Sequence, residues 1–223
     1  RHEWLGDASI SSFEDNSFGR YSHLASQWDA IAYNYPNYLI VKAAGNDRVN
    51  SGPNTNGLTG TNCRTTEQYY LFSTGSFSNV CRERPDGGAD GFDSISHSAV
   101  AKNILTVGAV RAVRNYVRAS DVVMSSFSGF GPVDDGRIKP DLVAKGVNVY
   151  STISNGLYFP LDGTSMASPM ITGGIALLLD HQENLYSNVT LKSATVKGLL
   201  IHTAKEAGSN PGPDYKFGWG LAD

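Results

Sequence analysis

Gly163-Thr164-Ser165-Met166-Ala167-Ser168-Pro169 runs without a break into Met170-Ile171-Thr172-Gly173-Gly174-Ile175-Ala176-Leu177-Leu178-Leu179. The first seven residues read as a serine nucleophile set at the start of a helix. Gly163 permits a sharp turn where a side chain would crowd an approaching substrate. Ser165 then falls in the first helical turn, where unpaired backbone N–H groups and the helix dipole favour negative charge. Both an attacking serine oxygen and a developing oxyanion gain from that setting. Pro169 fits if it lies in the first turn, where its missing N–H has no helical acceptor. The apolar run behind it predicts a fully buried helix. For Gly-Thr-Ser taken alone, a turn that merely starts a core helix is the better reading.

Working outward, strands and helices alternate. Ala8 to Phe13 reads as a short strand, and Tyr21 to Ala32 as a helix with Leu24, Trp28 and Ile31 on one face, stopped by Pro36. Tyr38 to Ala44 and Ile104 to Val110 are nearly continuous in apolar residues, as parallel strands covered on both faces are. Val147 to Thr152 is a shorter strand, and a further helix spans about Leu191 to His202. This order predicts an α/β fold with a mostly parallel sheet and helices on both faces. Sites in such sheets collect at the carboxyl ends of strands, where Gly45-Asn46 and Ser17-Phe18-Gly19 fall.

The 223 residues suit one domain with a sizeable core. With 40% hydrophobic and 17% charged residues the chain is globular. A net charge of −3 offers no basic face for nucleic acid. No segment reaches the roughly 18 apolar residues of a membrane span.

Five segments, in order, carry a resemblance. Asp162 to Pro169 is similar to the nucleophile motif of the subtilisin-like serine peptidases, the subtilases. Asn16-Ser17-Phe18-Gly19 resembles the family's substrate-pairing strand end, and Ala43-Ala44-Gly45-Asn46 its oxyanion-hole segment. Ser125-Ser126-Phe127-Ser128-Gly129, with Gly131-Pro132 and Lys139-Pro140-Asp141-Leu142-Val143-Ala144, resembles the stretch before the nucleophile. Tyr215 to Leu221 resembles the end of the peptidase domain. The resemblance implies a serine endopeptidase acting on proteins or peptides, with Ser165 as nucleophile. It gives Asn46 and the Ser165 N–H as oxyanion donors, and Gly163 and Thr164 as residues beside the substrate. Ser17, Phe18, Gly19, Ala43, Ala44 and Gly45 would line the substrate site, where small residues leave room for a large P1 side chain. Alone, Ala-Ala-Gly-Asn reads better as a turn after Gly45.

One departure bears on activity. Subtilase triads run Asp, His, Ser along the chain. Here none of His2, His23, His97, His181 and His202 is followed by Gly-Thr, and neither Asp7 nor Asp15 stands in an Asp-(Ser/Thr)-Gly context. The resemblance therefore implies that both partners lie upstream. Residues 1–223 would form the C-terminal portion of a peptidase domain, with an insertion at about 61–96, and would be inactive and not stable as a monomer without the upstream segment. Cys63 and Cys81 fall in that insertion in polar surroundings, which favours a mutual disulfide over buried free thiols. A disulfide would place the chain in a secreted or periplasmic setting.

No cofactor is required for this chemistry. Structural calcium is compatible with the family, but no motif locates it. Asp86-Gly87-Gly88-Ala89-Asp90-Gly91-Phe92-Asp93 lacks EF-hand spacing and reads as a solvated acidic turn. Asp134-Asp135-Gly136 reads as a simple turn. An alternative is a catalytically inactive subtilase-like binding domain, against which the joint presence of Ser165 and Asn46 argues. An ester hydrolase is disfavoured, because Ala167 stands where a Gly-x-Ser-x-Gly elbow needs glycine.

Overall fold

A computed structural model describes residues 2–4, 10, 15–49, 51–54, 66–71, 76–85, 89–187 and 189–223. In chain order the elements are β1 (His2–Trp4), α1 (His23–Asn34), β2 (Val41–Ala43), β3 (Ser51–Asn54), β4 (Thr66–Leu71), β5 (Ser76–Pro85), β6 (Leu105–Val110), β7 (Leu142–Lys145), β8 (Val149–Thr152), β9 (Tyr158–Leu161), α2 (Thr164–Leu185) and α3 (Ser193–Thr203).

The site rests on a parallel sheet of order β2-β6-β7. β6 is buried at every position because it is central and covered on both sides. Leu105, Val107 and Ala109 join Leu142 and Ala144 of β7 in a core with Ala167, Ile171 and Ile175 of α2 and Val196 of α3. Thr106 turns the other way and donates to Ala99 O. There Ala25 and Trp28 of α1 pack with Ile40, Ala44, Ile95, Ala99 and Ile104. This is the expected α/β arrangement.

α1 starts at Ser22, whose hydroxyl accepts from Ala25 N–H, and ends before Pro36, a residue that disfavours helix in its predecessor. Buried Asp29 ties the helix to the turn before β6, accepting from Lys102 N (3.0 Å) and Asn103 N (2.7 Å).

β7 depends on a buried charge cluster. Lys139 Nζ lies 2.6 Å from Asp141 Oδ2, and Lys197 Nζ of α3 lies 2.8 Å from Asp141 Oδ1. Asp141 Oδ2 also accepts from Thr106 N–H of β6 (2.7 Å), and both ammonium groups donate to Ile104 O. Burial lowers the Lys139 pKa to about 8 against the pull of Asp141. Burial pushes Asp141 up, but Lys139 and Lys197 outweigh it and hold the carboxyl below its ordinary value. The C-terminal segment closes on the same point: Trp219 N–H donates to Asp141 O. A side chain at Gly218 would collide with the Pro140 and Asp141 carbonyls.

Four expectations need correction. The strand in 38–44 is confined to β2, and its residues are half-buried because β2 is an edge among the described strands. β8 does not enter the parallel sheet. It pairs antiparallel with β9 in a hairpin whose residues are largely exposed. α2 is not buried all round. Thr164, Ala167, Ile171 and Ile175 make one buried stripe at helical spacing, while Met170 and Leu177 on the helix are 52% and 73% exposed. Pro169 lies inside α2 rather than in its first turn, so the missing N–H is the one that would bond the Ser165 carbonyl four residues back.

The insertion expected at 61–96 contains β4 and β5, which pair antiparallel from Thr66↔Cys81 to Leu71↔Ser76 in a sheet of order β1-β4-β5-β3. Cys63, and with it the expected disulfide to Cys81, lies outside the described residues, as does the strand expected at 8–13 apart from Ile10.

Candidate active site

The end of β2 and the start of α2 meet through one side chain. The N-cap position of α2, Gly163, has no side chain with which to cap the helix. Asn46, just beyond β2, does this from across the fold: its Oδ1 accepts from Thr164 N (2.9 Å) and from Thr164 Oγ1 (2.8 Å). Thr164 Oγ1 in turn accepts from Gly45 N (3.2 Å). A backbone N–H can only donate, so the face of the Asn46 amide toward Thr164 must be its oxygen. The amide nitrogen, with two N–H donors, is thereby turned away from Thr164.

That nitrogen and Ser165 N both lie close to Gly163. A Cβ built on Gly163 would stand 3.5 Å from Asn46 Nδ2 and 3.6 Å from Ser165 N. The same point is 3.3 Å from Met166 Sδ, and Gly163 is buried, so a side chain here would press on all three atoms. Ser165 N–H is the second amide of α2, where no intrahelical acceptor exists, whereas Met166 N and Ala167 N are taken up by Gly163 O. Ser165 is exposed, and its Oγ makes no hydrogen bond among the described residues. Gly163 is held from behind, donating to Gly146 O (2.8 Å), while Asp162 accepts from Asn148 N (2.7 Å). Gly146 must lack a side chain, since a Cβ would meet Ala109 Cβ and Gly163 O, each at 2.6 Å.

The arrangement places the Asn46 amide nitrogen and the Ser165 N–H close to Gly163, beside an exposed hydroxyl. Chemically this suits a tetrahedral oxyanion formed by attack of Ser165 Oγ. It lacks a base. His181 lies 16 residues along α2 from Ser165, about 24 Å at the helical rise. His23 and His97 border a cavity of about 340 Å³ with Ser17 and Arg20. No hydrogen bond among the described residues joins a histidine to Ser165.

Ala43, Ala44 and Gly45 reach the site along β2, with Ala44 donating to Val107 O and accepting from Ser96 N. Residues 16–19 form a turn rather than a strand end. Asp15 draws it back by accepting from Ser17 N and Oγ, and Phe18 is buried. Gly19 donates to Ile95 O and accepts from Asp134 N, so both of its backbone groups are engaged internally. Residue 19 favours glycine, because its φ of +66° strains any side chain and a Cβ would displace the Asp93 and Asp134 carboxylates. No group of three or more His, Cys, Asp or Glu residues placed to hold a metal occurs among the described residues. Residues 86–88 of the acidic turn lie outside them.

Sequence reasoning missed Arg48. Its Nε donates to Ser128 O and its Nη2 to Ser125 O.

The subtilase family model, Peptidase S8, matches residues 8–220. The chain belongs to the subtilase family of serine peptidases. It is 40% identical over 72 residues to the C5a peptidase of Streptococcus pyogenes, a match covering 32% of this chain and 6% of that protein. It is 33% identical over 120 residues to the serine protease AprX of Bacillus subtilis, covering 48% of this chain and 27% of that protein. The matches thus span well under a third of these relatives' own lengths. Among solved structures, the Clostridium perfringens CspB protease gives a TM-score of 0.53 at 29% identity, over 64% of this chain and 29% of that one. Sphericase gives 0.56 at 22% identity, over 89% and 51%, a likeness of fold. No helix of the described residues is long and apolar enough to cross a membrane.

Proposed function

We propose that residues 1–223 carry the nucleophile and oxyanion-binding half of a serine endopeptidase site, completed by an Asp and a His from an upstream segment of the same domain. The observation that supports this reading is the tie between Asn46 and Thr164, which brings the Asn46 amide to the start of α2 next to the exposed Ser165. In this reading Ser165 Oγ attacks the scissile carbonyl, the upstream His takes its proton, and the two donors stabilise the oxyanion. Ala43, Ala44 and Gly45, with Ser17 and Phe18, border the acyl side of a protein or peptide substrate. A secreted or periplasmic setting and the Cys63–Cys81 disulfide belong to the same proposal.

The test is fluorophosphonate labelling of the full-length protein followed by peptide mapping. A single adduct on Ser165 is expected. Labelling elsewhere, or none in a folded preparation, would sink the peptidase reading and favour an inactive binding domain.

The upstream segment has a place to pack. Met170 and Leu177 are exposed, and nothing lies within 4 Å of a Cβ built on Gly173 or Gly174. In the full-length protein Gly174→Ala is expected to lower Tm, because a methyl would intrude on the covering segment. A rise in stability of about 1 kcal/mol, the gain from helix propensity alone, would show that this face stays bare.

A further inference from the structure

The chain that leaves β2 through Asn46 is clamped to a distant segment, 125–130. Gly129 N donates to Gly45 O (3.0 Å) and Arg48 N to Phe127 O (3.4 Å). The Arg48 side chain then folds back onto the same segment. Its Nε donates to Ser128 O at 2.8 Å and its Nη2 to Ser125 O at 2.5 Å, with the guanidinium 4.2 Å from the Phe130 ring centroid. The receiving segment is itself pinned: Ser128 N donates to Ser125 Oγ, Ala109 N to Ser128 Oγ and Phe130 N to Ser94 Oγ. The Arg48 stem passes close to Gly91, where a Cβ would stand 2.6 Å from Arg48 Cγ.

Between these anchors, the N–H and C=O of Asn46 itself make no backbone hydrogen bond among the described residues. Its side chain is held at the tip by Thr164, and its backbone by its flanks, Gly45 on one side and Arg48 on the other. We propose that Arg48 is a positioning residue for the oxyanion donor, holding the chain after β2 so that Asn46 reaches Thr164 with its Nδ2 beside Ser165. This rests on the peptidase reading of the site. Only a guanidinium meets the geometry. Two carbonyls three residues apart are reached by two nitrogens of one plane while that plane lies against an aromatic ring, which a lysine ammonium cannot reproduce. A displacement near 1 Å at a preorganised donor is enough to weaken catalysis severely.

The test is a double-mutant cycle in the full-length protein with a chromogenic peptide substrate, reading kcat and KM separately and Tm alongside. Asn46→Ala is expected to lower kcat by about 10²–10³, the magnitude known for loss of an oxyanion donor in subtilisin. Arg48→Ala is expected to lower kcat by about tenfold, part of that loss, with KM little changed. In the Asn46→Ala background Arg48→Ala should change kcat no further. Arg48→Lys should behave like Arg48→Ala, because the charge alone does not bridge the two carbonyls.

An equal loss in both backgrounds would overturn the proposal, since a general loss of folded protein does not depend on Asn46. No loss from Arg48→Ala would overturn it as well. If Arg48→Ala does not fold, Phe130→Leu removes only the stacking face and enters the same cycle. Failure of the underlying reading looks different: Ser165→Ala would keep the parent's turnover, whatever Arg48 does.

Discussion

Ser165→Ala is expected to reduce peptide hydrolysis by the full-length protein by about 10⁶, the magnitude known from removal of the nucleophile in subtilisin, while leaving the fold unchanged. The separation follows from the local structure. Ser165 is exposed and its hydroxyl has no internal partner among the described residues, so its loss leaves no buried group unsatisfied. The start of α2 is held by Asn46 and Thr164 through atoms that Ser165 does not supply. Alanine is also a better helix former than serine. Kinetics and thermal melts on the same preparation check both halves. A variant retaining the parent's rate would remove Ser165 as nucleophile. A variant with a markedly lower Tm would show that its hydroxyl has a structural role not seen among these contacts.

Asp141→Ala should destabilise the protein by about 3–5 kcal/mol, as breaking a buried ion pair from one side does. The Thr106 N–H loses its acceptor, and the Lys139 and Lys197 ammoniums lose their counter-charge and keep only Ile104 O. Lys139 is 2% exposed. The pH dependence gives a second check. Asp141 titrates below its ordinary value when folded, so its contribution is present above the unfolded carboxyl range and is lost as pH falls through the folded pKa. Lys139 also titrates low, at about 8 against 10.5 unfolded. The unfolded chain therefore binds more protons between those values, and stability rises with pH across that window. Urea unfolding of parent and variant at neutral pH and near pH 10 measures both. A difference under about 1 kcal/mol, within the range of an exposed pair, would mean that the cluster is hydrated.

What could be read in the sequence was what local chemistry fixes. The start of α2 was legible because a glycine, a serine and a long apolar run act on their own neighbours. β6 was legible because complete burial writes an unbroken apolar stretch. β7 was not read as a strand, because Lys139, Pro140, Asp141 and Lys145 look like loop chemistry. Only the fold brings Lys197 round to neutralise Asp141. The β4–β5 pair fell in a segment read only as an insertion, although Tyr69, Tyr70 and Leu71 lie in it. The bare side of α2 could not be seen because an apolar run reads the same whatever covers it. Arg48 gave no local signal at all, since its acceptors are 77 and 80 residues away.

The contact between Asn46 and Thr164 spans 118 residues. At a synthesis rate of about 5–20 residues per second, roughly 6–24 s separate the emergence of its two ends. Long-range closure of this kind also comes late in folding, because the intervening chain must be ordered before the contact returns any energy. Until then Asn46 has nothing to orient its amide, and Ser165 is an ordinary serine on an unfinished chain. The order of folding thus leaves the proposed oxyanion site unformed until the scaffold around it is complete.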